Sequence, residues 1–522
     1  MPAAKWFAKC DHVLLTAFQR LRSRARLPLL ADQPALRVVR GRLQALDLLE
    51  ETGGEINQGA GRPFKAARAK AEFMDIKQVE EWFQRHRVAD VACLVPDMTG
   101  ATRGKLMTSA LFLNGLKHGG LRIPETMYTI NVQGDIVFNE HVANTERDLV
   151  MVPDLSTIHL QPWDVDPTGC FICDAKTDAN EFFPIAPRQV LRKVVELYAQ
   201  RGWKPIVGPE VEFYLIAKFN DVILEPRAPD GRSGLREFGQ HVYSLDAIDD
   251  FSQLFDELYQ FCEVQRIELD TLIHEDGPCQ FEVNLRHSDA IRVADQLFLF
   301  KRLARQVAQR HGMFVTFMAK PYADCSGSSI HLHQSVVDAK TGANIFAHDD
   351  GQDTRQFMHH IGGLQKYLPA LMPLLAPYTN SYNRFEAHMS APTNTHWSRE
   401  NRTVGLRVPA SSREARRVEN RISGADVNPY LAIAASLLAG YIGMIDKVEP
   451  RAEYVGEGYE DRERPLPASL MEGVSNFKNS ESVRKLLGDA FVDTYSEIKR
   501  SEYEHRSAVL SPWDVRFLMV NV

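Results

Sequence analysis

Four segments of this chain carry charged or ligand-type residues at every second position, with apolar residues between them. From Pro205 to Ile216, Glu210 and Glu212 alternate with Val207, Val211, Phe213 and Leu215. In a strand, residues i and i+2 share a face, so the two carboxylates look one way and the apolar side chains the other. Carboxylates this close repel and lose hydration unless protons or a cation neutralise them. His274 to Leu285 adds Glu275 ahead of a Gly-Pro turn, then Glu282 within an alternating run. Ser329 to Val336 places His331 and His333 in an HxH pattern after the loop Ser326-Gly327-Ser328-Ser329, and Arg416 to Ile422 sets Arg417, Glu419 and Arg421 on one face. Taken singly, an acidic strand is ordinarily a solvated edge and a strand histidine a satisfied structural residue. Five glutamates and a histidine facing one cavity would be a metal site. Carboxylates with one imidazole suit Mg²⁺ or Mn²⁺ rather than zinc, and five exceed what one ion needs, so two or more ions are expected. Arg384, Arg402, Arg407 and Arg421 accompany them, and arginine grips carboxylate and phosphate bidentately. Ions and arginines together suit phosphoryl transfer, which is positioning plus charge neutralisation. There is no GxxxxGK[ST] loop and no kinase-type glycine loop, so any ATP sits on another scaffold.

These strands need a scaffold, and the periodicity supplies one from Met74 onward. Asp75 to Arg87 has helical spacing at Ile76, Val79 and Phe83, with Asp75 as cap. Val88 to Pro96 reads as a strand, followed by a turn at Thr99-Gly100 and the basic segment Arg103-Gly104-Lys105. Strand-like pieces continue to about Asp174, which predicts a small, mainly β domain over 74–182. Phe182 to Pro187 reads as a linker into a second, larger unit over 183–522. There, Gln189 to Arg201 and the run Val293, Leu297, Phe300, Ala304, Val307 predict amphipathic helices. Asn428-Pro429 predicts a helix start, with Asn at the N-cap and Pro at the first turn.

The 522 residues have ordinary globular composition, 44% hydrophobic and 25% charged. A net charge of −7 gives no bulk reason to hold nucleic acid or an anionic membrane. The longest apolar stretch, Leu431 to Ile445, falls short of the ~20 residues of a membrane span. Seven scattered cysteines, with a single CxxC at Cys170 and Cys173 on a strand pattern, read as structural thiols in a reduced, cytoplasmic protein. Residues 1–73 carry +6 and the rest −13. This basic N-terminal extension, with Arg20, Arg22, Arg24 and Arg26 and a glycine-rich run, is expected to be a disordered tail or a non-native start, although its composition also fits a transit peptide.

From about Met74 to the C-terminus, the motifs resemble the glutamine synthetase superfamily. They are Val207-Gly-Pro-Glu-Val-Glu-Phe213, Gly327-Ser-Ser-Ile-His-Leu-His333, Asn380-Ser-Tyr-Asn-Arg384, Asn401-Arg-Thr-Val-Gly-Leu-Arg-Val-Pro409, Arg417-Val-Glu-Asn-Arg421 and Asn428-Pro-Tyr-Leu431. The resemblance implies an α+β fold: a β-grasp domain, then a catalytic domain with a curved antiparallel sheet and helices. It implies homo-oligomers, commonly dodecameric rings with shared active sites. It places one metal ion on Glu212, Glu275 and Glu282, and a second on Glu210, His331 and Glu419. Arg402 and Arg407 would act on nucleotide phosphates, with His333 and Ser335 near the nucleotide. Gly327, Arg384 and Arg421 would hold glutamate. The implied chemistry is attack of the glutamate γ-carboxylate on ATP, giving γ-glutamyl phosphate, followed by displacement of phosphate by an amine.

Three departures shape the expectation further. Where glutamine synthetases carry an acidic flap residue, this chain reads Met389-Ser390-Ala391-Pro392, and their small-domain Asp-Gly-Ser-Ser motif is missing around Glu125 to Asp135. Without those acids an ammonium pocket loses its charge partners, and Ser390 leaves room for a longer amine. Ser326 stands where the family has an asparagine at the glutamate amino group. The segments Asp97–Lys105, Ser390–Thr393 and Gly424–Pro429 look like the γ-glutamylpolyamine (γ-glutamylputrescine) synthetase branch. The expected amine is therefore a polyamine such as putrescine or spermidine. Authentic glutamine synthetase, or a ligase for ethanolamine or an alkylamine, is the alternative.

Overall fold

The structure is a computed structural model, and it describes residues 74–142, 144–219, 226–386, 390–460 and 466–519. The basic N-terminal segment and Met389 lie outside the described residues.

The chain from Met74 opens with α1 (Ile76–His86). Asp75 caps it by accepting from Gln78 N at 2.8 Å while the Gln78 side chain returns a bond to Asp75 N, a reciprocal capping box. Val79 and Phe83 are its buried face. It covers a six-stranded sheet built from β1 (Asp90–Pro96), β2 (Thr102–Thr108), β3 (Arg122–Pro124), β4 (Asp148–Pro153), β5 (His159–Leu160) and β6 (Thr168–Lys176). The order is β2-β1-β6-β4-β3, with α2 (Ser109–His118) between β2 and β3 and a parallel β1–β6 pair at its centre. Cys170 and Cys173 lie on β6 as buried free thiols, and burial pushes Cys170 up to about 12, the opposite of a reactive thiolate.

After α3 (Pro187–Ala199) comes β7 (Trp203–Ala217), the spine of a nine-stranded sheet. Beyond α4 (Leu245–Asp249) and α5 (Ser252–Val264), β8 (Leu269–His274), β9 (Gln280–Leu285) and β10 (Ser288–Asp289) precede α6 (Ala290–Arg310), β11 (Met313–Thr316) and β12 (Ile330–Asp338). The helices α7 (Arg355–Leu375) and α8 (Thr379–Tyr382) separate these from β13 (Trp397–Arg399), β14 (Leu406–Val408) and β15 (Val418–Asn420). The order is β13-β14-β15-β12-β7-β9-β8, antiparallel apart from the β13–β14 pair, with β10 and β11 also on β7. The sheet is thus antiparallel as expected, with one short parallel pair at its β13–β14 edge.

The core behind the sheet is helical. α9 (Pro429–Asp446) is capped by Asn428, whose side chain accepts from Tyr430 N and Leu431 N. It starts two residues before the apolar stretch read from sequence and, at 18 residues, has the length and composition to cross a membrane; 89% of it is buried inside the protein. It crosses α7 at Gly363 and Gly443, where a Cβ on Gly363 would come within 2.6 Å of Gly443 Cα. α10 (Leu470–Asn479), α11 (Glu481–Leu487), α12 (Asp489–Ala508) and α13 (Pro512–Phe517) complete the elements among the described residues.

One buried cation ties the two sheets' surroundings together. Arg188 of α3, 2% exposed, bonds Asp154 and Asp174 beside the smaller sheet and Asp295 of α6, all at 2.7–2.9 Å. Tyr430 OH adds a bond to Asp295 at 2.8 Å.

Candidate active site

Cross-strand register gathers the predicted residues. On β7 and β9, Glu212 faces Glu282; on β7 and β12, Glu210 faces His331. Glu419 of β15 faces His333 on one side and Arg407 of β14 on the other. Directly opposed side chains are close enough to interact, so pairing three edges onto β7 and β12 builds one acidic floor.

Two compact ligand groups result. Single donor atoms of Glu210, His331 and Glu419 lie within 4.8 Å of one another, as do those of Glu212, Glu282 and His331. His331 stands between the groups: Nδ1 is 3.3 Å from Glu210 and 3.8 Å from Glu419, and Nε2 is 3.8 Å from Glu212. Glu275 stands outside the second group, half-buried in the turn after β8, and acts on Glu212 and Glu282 through its charge.

The electrostatics divide the carboxylates. Burial, then the charge of Glu275, raises Glu212 to about 8. Burial and the charges of Glu210 and Glu212 raise Glu282 to about 10. Glu210 moves the other way: burial opposes ionisation, but bonds from His331 and His333 hold it below the usual carboxylate range. For Glu419, Arg421 and the two histidines outweigh burial and hold it near about 2. Burial and Arg421 lower His331 to about 4, which keeps the imidazole in its neutral, ligating form. Its buried Nε2 has no hydrogen-bond partner among the described residues. An orphaned imidazole nitrogen amid carboxylates that cannot all ionise fits a divalent cation held by oxygen donors and one nitrogen.

The arginines close the other side. Glu419 accepts Arg407 Nη1 at 2.8 Å and Arg421 Nη1 at 2.6 Å, one on each oxygen. Arg384, 1% exposed, donates to Ser329 Oγ at 3.0 Å and to Ile422 O. Gly327 packs on it: a Cβ there would meet the Arg384 side chain and come within 2.6 Å of Ala319 O. The Nε atoms of Arg384, Arg407 and Arg421 are buried and unpartnered among the described residues. Arg402 is exposed on the turn before β14, Ser335 is half-buried two residues past His333 on β12, and Ser390 is exposed with φ +61°.

Three further side chains brace the floor. Gln280 Nε2 donates to Gly327 O at 3.1 Å and to Glu212 at 3.4 Å, and its Oε1 accepts Gly277 N at 2.8 Å. Asn284 Nδ2 reaches Glu210 at 3.5 Å. Both share the face of Glu282 at a spacing of two, a signal present in the sequence but passed over because neither is charged. Arg417 Nε donates to His333 Nδ1 at 3.1 Å, which leaves the ring proton on Nε2 for Glu210 at 2.8 Å.

Comparison with known proteins gives the same architecture an ancestry. Residues 184–518 match the family model described as glutamine synthetase, catalytic domain. The chain belongs to the glutamine synthetase family. It is 33% identical over 449 residues to a glutamate–isopropylamine ligase from a Pseudomonas species, covering 84% of this chain and 97% of that one. It is 31% identical over 462 residues to the gamma-glutamylputrescine synthetase PuuA of Escherichia coli K12, covering 87% and 96%. The structure of apo GmaS without ligand superposes with a TM-score of 0.73 at 24% identity, over 85% of this chain and 99% of that chain, a likeness of fold.

Proposed function

We propose that this glutamine synthetase family enzyme joins the γ-carboxylate of glutamate to a primary amine, using ATP and passing through γ-glutamyl phosphate. The observation that carries this reading is the paired floor Glu210–His331–Glu419 and Glu212–Glu282 set against Arg384, Arg407 and Arg421. That arrangement serves a reaction in which a carboxylate and a phosphoryl group, both anionic, must meet. Magnesium or manganese held by Glu210, Glu212, Glu275, Glu282, His331 and Glu419 would neutralise charge on the phosphate oxygens. Arg402 and Arg407 contact nucleotide phosphates in this reading, with His333 and Ser335 beside the nucleotide. Arg384 and Arg421 grip the acid substrate, and the bare backbone of Gly327 lets it approach.

The amine is organic rather than ammonium. Ser390 occupies the acidic flap position and offers no negative charge to a small desolvated cation, and the two relatives above are named for isopropylamine and putrescine. A polyamine such as putrescine or spermidine remains the leading candidate, with alkylamines and ethanolamine next. The test is ligation with glutamate, ATP and an amine panel, read by product mass. Faster phosphate release with ammonium than with every organic amine would identify an authentic glutamine synthetase instead.

A further inference from the structure

Arg384 stands in the turn that follows α8, an element that cannot hold itself in place. α8 has four residues, far below the length at which a helix is stable alone, and its place is set by two polar anchors. Asn380 is bound in both directions by the Lys320 backbone, at 3.0 and 2.9 Å. Ser381, whose carbonyl accepts Arg384 N at 3.3 Å, donates its hydroxyl to Asp426 Oδ2 at 2.6 Å.

Asp426 lies in the Gly424–Pro429 segment and is itself fixed. Lys301 of α6 donates Nζ to the carbonyls on either side of it, Ala425 at 2.8 Å and Val427 at 2.9 Å. Its second oxygen, Oδ1, is shielded from solvent, has no hydrogen-bond partner among the described residues, and lies over Gly424, where a Cβ would come within 2.6 Å of it. Arg384 bonds only neutral acceptors, and the carboxylates that favour its charge are Glu212 and Asp426. A buried guanidinium without a counter-charge is costly; burial raises the Asp426 carboxyl, and the Ser381 bond, then Lys301, then Arg384 favour its charged form, so Arg384 shares this carboxylate with Lys301.

We propose that Asp426 is a positioning residue for the acid substrate: through Ser381 it fixes the turn that aims Arg384, and its charge balances the guanidinium until a substrate carboxylate takes that place. This rests on the reading that Arg384 binds glutamate. Asp426→Asn keeps the shape and removes the charge. It should raise KM for glutamate about tenfold, the scale of one charge-assisted hydrogen bond, with KM for ATP within about twofold. Ser381→Ala, a milder change, should move KM for glutamate in the same direction. In an Arg384→Lys background, Asp426→Asn should add no further rise, because the two act as one unit. Thermal midpoints of each variant separate these effects from misfolding. An active wild type whose Asp426→Asn and Ser381→Ala variants keep their glutamate KM overturns the proposal alone. Equal rises for glutamate and ATP, or full additivity with Arg384→Lys, do the same. A wild type that releases no phosphate with glutamate and any amine overturns the functional reading, and the proposal falls with it.

Discussion

Glu212 and Glu419 sit on one floor but in opposite electrostatic states, and the difference predicts opposite consequences when each is changed. Glu419 is ionised between Arg407 and Arg421, so losing it strands the buried Arg421, while the half-buried Arg407 keeps Glu400 as a partner. Glu212 is raised to about 8 by burial and by Glu275, so without a cation it weakens the fold. Glu212→Gln should therefore cut ligation at least about 100-fold, the upper range for lost metal-site groups, while leaving the metal-free thermal midpoint unchanged or higher. The sign follows from linkage. Unfolded glutamates ionise near 4.5, whereas Glu212 and Glu282 hold their protons to about 8 and about 10. Their contribution is complete below about 4.5 and is lost as pH rises through the folded values. The midpoint of chelator-treated protein should fall between about pH 5 and pH 9, and added Mg²⁺ should reverse more of the fall at the alkaline end. Thermal scans with and without chelator check this; a flat metal-free profile would remove the repelling pair from the account. At this scale the sequence was largely legible, because strand alternation alone faced Glu210, Glu212, Glu282 and Glu419 one way. Gln280 and Asn284 obeyed the same alternation but carried no charge to draw attention. The outlying position of Glu275 was not legible, since it lies in the turn after β8 rather than on a strand whose alternation fixes its direction.

At the scale of elements, long periodic helices and their caps were readable: Asp75 and Asn428 cap where their side chains and neighbours require. Short elements were not. β14 and β15 are three residues each, and α8 is four; such pieces have no periodicity of their own and exist through what they pair with. The Arg188 hub was equally hidden, because its three aspartates, at 154, 174 and 295, come from distant parts of the chain. Packing makes it consequential. Replacing Arg188 with Met fills similar volume but strands the buried Asp295 without a cation, while Arg192 still holds Asp154 and Asp174. Breaking a buried ion pair of this kind costs about 3–5 kcal/mol. Arg188→Met should lower unfolding stability by that amount in urea titrations at neutral pH. A loss below about 1 kcal/mol would mean that solvent reaches the aspartates and the hub is not a structural lock.

For the whole molecule, the described residues leave an apolar strand edge and an apolar C-terminal helix bare. β2 is an edge strand of the smaller sheet, and its Leu106 is 66% exposed. At the other end of the chain, Leu510 and Trp513 are 74% and 58% exposed around α13. An uncovered edge with an apolar side chain invites pairing with another chain, and soluble monomers seldom tolerate it. A second copy of this chain is the economical partner, because closed homo-oligomers bury such edges symmetrically. We propose that the 59.1 kDa chain assembles into a homo-oligomer, with the ring that the family resemblance implies as the form to test. Leu106→Asp puts a charge on that edge without touching the acidic floor, whose residues lie in the other sheet. By native mass spectrometry it should shift the population toward smaller species. If neighbouring subunits complete each site, ligation should fall in step with the loss of assembly and recover at higher protein concentration. A wild-type chain that runs at 59.1 kDa with full activity would place the complete site within one subunit and leave β2 a bare edge.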